Sequence, residues 1–218
     1  MELMKTWVEG LDKTLGGLPT KSVILMLGEP GSGHDLLAKQ ILYLHALRKG
    51  KSVYFTTLKS DDILRENFAD RGWKLEDLEK SKKWEFVDLR SSKSTQGFRE
   101  KSSSKVREGH WTLLDSLSHL LMRQKLKQAF GIIEALLESS RTHGGVHLLI
   151  LTKGMNDPRT EIAVQEFVDG VLEFVQLEVG GGINSRIRIK KMKTIPVPKL
   201  IPFVITQQGI TVETAVRI

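Results

Sequence analysis

The chain has no cysteine. That excludes disulfides, thiolate metal sites and cysteine nucleophiles, and it accords with a reducing compartment. No apolar run approaches the ~20 residues needed to cross a bilayer. The opening residues, MELMKTWVEG, lack the apolar core of a signal peptide. Internal repeats and an evident linker are also missing. Acidic residues are the minority: 26 Asp and Glu face 33 Lys and Arg, for a net charge of +7. These absences lead us to expect a soluble, cytoplasmic protein with no membrane contact. The 218 residues, 40% hydrophobic and 27% charged, are enough for one packed domain spanning 1–218.

What is present is an alternation of strands and helices. Val23–Leu27 is a short continuous apolar run, as in a parallel strand buried on both faces. Leu37, Ile41, Leu44 and Leu47 then recur with helical spacing over about 34–47. Val53–Thr57, Trp84–Leu89, Trp111–Asp115 and Val146–Thr152 read as further strands. Helices are predicted from Asp61 or Asp62, as cap, to about Arg71, over 118–142, and over 161–168. Strands are predicted over 171–179, 185–193, 203–206 and 210–216. This order predicts an α/β fold: a central, mostly parallel sheet flanked by helices, with a C-terminal antiparallel extension. The stretch 90–110 holds six serines and no sustained apolar period, so it reads as a flexible basic loop.

Between the first strand and its helix lies Gly28-Glu29-Pro30-Gly31-Ser32-Gly33-His34-Asp35. Strand, glycine-rich loop and helix in this order make a phosphate cradle, because curled backbone N–H groups and a helix N-terminus converge on an anion. A working cradle adds a Lys for the β/γ-phosphates and a Ser or Thr for Mg²⁺. Here His34 and Asp35 hold those two places. Asp35 either caps the helix and fills the anion site from within, or binds Mg²⁺ directly; no replacement cation is evident nearby.

The sequence resembles the KaiC-like branch of the RecA superfamily along nearly its whole length. The resemblance rests on Gly10-Leu11-Asp12 with Leu15–Pro19, the glycine loop, Gly72-Trp73, Leu113–Ser118, Lys191-Met192-Lys193, and Phe203–Thr206 with Gly209-Ile210. It implies a RecA-like core that uses ATP and Mg²⁺ and commonly assembles as a ring with nucleotide between neighbours. It implies that Asp115 ends the Walker B strand as a Mg²⁺ ligand, or else remains as an inherited cap. Thr152 matches a sensor position. Lys191 and Lys193 match a strand whose basic residues reach a neighbour's nucleotide. Lys59 and Ser60 stand where the family carries its water-activating Glu. With that Glu, the phosphate Lys and the Mg²⁺ hydroxyl all replaced, the resemblance implies impaired hydrolysis.

Basic residues cluster twice. Residues 90–110 carry Arg90, Lys93, Arg99, Lys101, Lys105 and Arg107 against two glutamates, with Phe98 suited to base stacking. Residues 186–199 carry Arg186, Arg188, Lys190, Lys191, Lys193 and Lys199 and no acid. Three functions follow as expectations. The first is a catalytically impaired subunit acting by assembly in a homo-oligomer, or with an active RecA-like paralogue, and needing no cofactor. The second is an atypical ATPase using the glycine loop, Asp115 and Asp35 with Mg²⁺. The third is a nucleic-acid-binding module using the two basic segments.

Overall fold

The computed structural model describes residues 2–48, 50–90, 95–124, 126–193 and 200–213. In chain order the elements are β1 (Leu3–Met4), α1 (Leu11–Leu15), β2 (Leu18–Pro19), β3 (Ser22–Gly28), α2 (His34–Leu47), β4 (Lys51–Thr56), α3 (Asp61–Ala69) and α4 (Glu76–Lys80). They continue with β5 (Trp84–Asp88), α5 (Thr95–Arg107), β6 (His110–Asp115), α6 (Leu117–Arg123), α7 (Leu126–His143) and β7 (Val146–Thr152). The chain closes with α8 (Pro158–Phe167), β8 (Gly170–Val179), β9 (Gly182–Met192), β10 (Leu200–Thr206) and β11 (Gly209–Val212).

Among the described residues nine strands form one sheet in the order β11-β10-β9-β8-β3-β7-β6-β4-β5. From β8 to β5 every pairing is parallel; β9, β10 and β11 add on antiparallel. This is the predicted α/β architecture. β3 lies at its centre because its side chains are apolar on both faces: Ile24 and Met26 enter one core with α2, while Val23, Leu25 and Leu27 enter the other with α7. The parallel strands end along one edge, where Gly28 is opposite Thr152 and Thr56 is opposite Asp115. Ligands of open α/β sheets bind outside such carboxyl ends.

Four sequence expectations need correction. The expected loop over 90–110 is largely the helix α5. Its buried stripe is Phe98, Ser102 and Val106, each four residues apart, and the middle position is a serine. The single helix over 118–142 is two, α6 and α7, because Gln124 turns to extended backbone. The cap of α3 is Ser60 rather than Asp61 or Asp62; its Oγ accepts the Ile63 N–H at 3.5 Å. The last strand ends at Val212, and 214–218 lie outside the described residues. Ser60→Ala is expected to destabilise the protein by about 1 kcal/mol, read from a denaturant midpoint. An unchanged midpoint would mean that this long contact contributes nothing.

The outer edge of β11 is covered. The Gln40 side-chain amide donates to the Ile210 C=O at 3.1 Å and its oxygen accepts the Ile210 N–H at 2.7 Å. Gly209, with φ of 132°, permits this approach, since a Cβ there would lie 2.7 Å from the Gln40 oxygen. No helix of the described residues is long and apolar enough to cross a membrane.

Candidate functional site

The glycine loop leaves β3 at Gly28 and enters α2 through Gly33, whose φ is 90°. The Ser32 N–H donates to the Glu29 C=O at 3.0 Å, which closes a turn within the loop. Gly28 must lack a side chain, because a Cβ would sit 2.2 Å from Ser32 Oγ. Glu29, Pro30 and Gly31 are exposed.

His34 does not face the loop's concavity as a phosphate ligand would. Its ring is buried, its Nδ1 lies 3.1 Å from Ser32 Oγ, and it packs against Phe174 of β8. Its Nε2 has no hydrogen-bond partner among the described residues. Burial lowers the His34 pKa, and the charge of Asp35 only partly counters this. The ring is therefore a neutral, inward-turned group at physiological pH.

One turn further along α2 lies a residue the sequence reading missed. Lys39 Nζ is 2.8 Å from the Asp35 carboxylate and 3.5 Å from that of Asp115. Asp115 stands at the end of β6 and also accepts a hydrogen bond from the buried Tyr54 hydroxyl. Burial alone would push the Lys39 pKa down, but the two carboxylates outweigh it and the net shift is upward. For Asp35, burial raises the pKa, while the Lys39 charge and hydrogen bond reverse the shift to a net lowering. The Tyr54 pKa rises well above its ordinary value through burial and then the Asp115 charge. The four groups form one chain: a cation between two carboxylates, the second held by a phenol. The expectation that no cation stands near Asp35 is thus corrected.

Lys39 and Asp35 open onto a cavity of about 470 Å³ between α2, α3 and β10. Gly31, Lys59, Asn67, Arg71, Trp73 and Ile205 are among its walls. Lys59 is fixed by its backbone, whose C=O accepts from Thr56 Oγ1 at 2.8 Å, and Ser60 caps α3. Thr152 lies beside Gly28, and its N–H donates to Ser118 Oγ at 2.8 Å. Among the described residues no cluster of three or more His, Asp or Glu is arranged for a metal.

The remaining predicted residues lie away from this cavity. Lys191 donates to the Gln165 and Glu166 carbonyls that end α8. Lys193 pairs with Asp169, whose other oxygen accepts the Val23 N–H, at the amino end of β3 and so opposite the loop. Arg188 pairs with the buried Glu173, which also holds Lys153. Arg186 donates to the Ser185 C=O. Lys105 pairs with Glu85 at 2.6 Å. Lys101 is exposed, as are Arg99 and Arg107 between α5 and α7, while Lys93 and Lys199 fall outside the described residues. Phe98, expected to stack on bases, is 2% exposed and packs on Phe55.

A sequence profile described as the ATPase KaiC matches residues 4–216. The chain belongs to the KaiC ATPase family. A KaiC-like protein from the hyperthermophilic archaeon Pyrococcus horikoshii has the same fold, with a TM-score of 0.85 over 97% of this chain and 99% of that one at 24% identity. The UPF0273 protein of Saccharolobus solfataricus is 26% identical over 98% of this chain and 83% of its own length. That of Pyrobaculum aerophilum is 37% identical over 39% of this chain, a match spanning 31% of the relative's length. Within the KaiC fold the described loop is the phosphate loop, and Asp115 ends β6, which is separated from β3 by β7 in the sheet.

Proposed function

We propose that this chain is a KaiC-family subunit that acts by assembly, its own phosphate site closed by internal charges. The observation that carries this reading is the Asp35–Lys39–Asp115 link. The residues as arranged do not fit a magnesium triphosphate. The Asp35 carboxylate is engaged by the Lys39 ammonium, and the Asp115 carboxylate by that ammonium and a phenol. Triphosphate would meet the Asp35 carboxylate where a working cradle offers a hydroxyl, and His34, in the place of the cation, is turned away. An assembling role, in a ring of like copies or with an active relative, draws support from large apolar side chains left bare near the carboxyl edge. Leu58 is 51% exposed and Ile205 is 44% exposed. Lys191 and Lys193 lend less support to a cation offered to a neighbour, because both are held within the chain.

Calorimetry with Mg·ATP is expected to show no saturable binding tighter than about 1 mM. The double variant His34→Lys, Asp35→Thr, which restores both roles, is expected to gain binding. Micromolar binding by the natural chain overturns the closed-site reading, and a monomer in light scattering at micromolar concentration overturns the ring of like copies. One observation favours a second reading, an atypical ATPase: Lys39 itself opens onto the cavity. If Lys39 is a relocated phosphate ligand, Lys39→Met abolishes a nucleotide affinity that the natural chain possesses.

A further inference from the structure

On the opposite face of the sheet, α5 and α7 leave a groove of about 860 Å³ between them. Arg99, Ser103 and Arg107 line it from α5 at intervals of four residues, which puts them on one helix face. Ser139, Thr142 and His143 line it from α7. The helices touch at their hydroxyls, Ser139 donating to Ser103 at 3.2 Å. Among the described residues neither Arg99 nor Arg107 takes part in an ion pair, unlike Lys105 on the same helix. Glu100 and Glu138 also border the groove, so it is not a uniformly basic surface.

The Arg99 head lies against a glycine of α7. Gly131 sits inside α7, where glycine is unfavourable by about 1 kcal/mol relative to alanine. Its backbone is ordinary, so no turn demands it. The atom nearest to a Cβ built there is the Arg99 guanidinium nitrogen, at 3.7 Å. That is an ordinary van der Waals distance, so the Arg99 head lies directly over Gly131: a methyl would fit there, and only a larger side chain would press on the guanidinium. Arg107, two turns on, stands about 12 Å further along the axis.

We infer that the α5–α7 groove binds the sugar-phosphate backbone of a single-stranded nucleic acid. Two unpaired guanidiniums two turns apart suit phosphates on alternate nucleotides of an extended strand. Ser139, Thr142 and His143 offer hydrogen bonds to sugar hydroxyls and base edges, which a bare phosphate chain lacks. With Phe98 buried, base stacking has no part, so binding is sequence-tolerant and set by phosphate contacts. The inference is independent of the phosphate loop and of the assembly reading.

The test is fluorescence anisotropy of a labelled single-stranded RNA of roughly a dozen nucleotides, titrated with the full chain from about 50 mM salt upward. Binding is expected, with the slope of log affinity against log salt falling by about 0.7 for each of Arg99→Gln and Arg107→Gln. Gly131→Leu is expected to displace the Arg99 head and weaken binding as Arg99→Gln does, while thermal stability holds or rises. That combination separates site geometry from folding. Single-stranded DNA and inorganic polyphosphate are run as competitors. Polyphosphate binding without RNA or DNA binding overturns the nucleic-acid assignment. Absent binding at low salt, or an affinity and slope unchanged in the Arg99, Arg107 double variant, overturns the site.

Discussion

Lys39→Met is expected to destabilise the protein by about 2–3 kcal/mol, because it strands two carboxylates that face one another across the lost ammonium. The figure lies at the low end for a broken ion pair, since the Asp35 side chain is 42% exposed and water screens part of the repulsion. Lys39 and Asp115 are better shielded, at 16% and 18%. Two recoveries should accompany the loss. Removing one charge as well, in Asp35→Asn with Lys39→Met, should restore much of the stability. Millimolar Mg²⁺ or Mn²⁺ should also stabilise the single variant selectively, because two carboxylates around an ammonium-sized space form an incipient cation site. Urea midpoints with and without the metal check both. A Lys39→Met midpoint within error of the natural chain would show that the link contributes no stability.

Acid is expected to destabilise the protein steeply between about pH 6.5 and 4, where most ordinary carboxylates are still ionised over much of the range. His45 and His147 each have a pKa lowered to about 4, in both cases chiefly by burial. The His45 ring stacks on Trp111 at 3.9 Å with its Nδ1 against Ser52 Oγ. His147 lies between Thr112 Oγ1 and the Gly144 C=O, each at 3.1 Å. The folded state therefore keeps both rings neutral while the unfolded chain titrates near 6.5. Between those values the unfolded state binds more protons, so stability is full above about pH 6.5 and declines as pH falls toward 4. Each ring contributes up to about 3 kcal/mol of that decline, against a total stability of about 5–15 kcal/mol. Chemical denaturation at a series of pH values from neutral to mildly acidic reads the slope directly. His147→Asn should flatten it by roughly half. His45 and His147 imidazole resonances titrating near 6.5 in the folded protein would disprove the premise.

The sequence announced the sheet because its strands are apolar on both faces, and such runs leave little choice of structure. It announced the loop because Gly28, Gly31 and Gly33 fall where strand gives way to helix. Helix α5 escaped notice because its buried stripe passes through Ser102, which contributes packing volume but no apolar signal. Lys39 escaped for a different reason. An acid and a lysine four apart on a helix are a readable pair, but Lys39 lies one turn beyond the loop motif that ends at Asp35. That Asp115 joins them could not be read, since β6 meets α2 only in the folded sheet. The two basic segments were legible as composition but not as surfaces. Folding pairs Arg188, Lys193 and Lys105 with acids and leaves Arg99 and Arg107 bare, a division that depends on which carboxylates the fold brings near.

The amide of Gln40 against Ile210 has a consequence for how copies of this chain can meet. A side chain that both accepts from and donates to an outer strand imitates, for one residue, the rung of a further strand. β11 thus offers no open backbone template at its centre, and a neighbour cannot extend the sheet through that point by strand exchange. Any association on this flank must be made by side chains, which keeps it reversible and selective where a continuous backbone ladder would favour uncontrolled fibre growth.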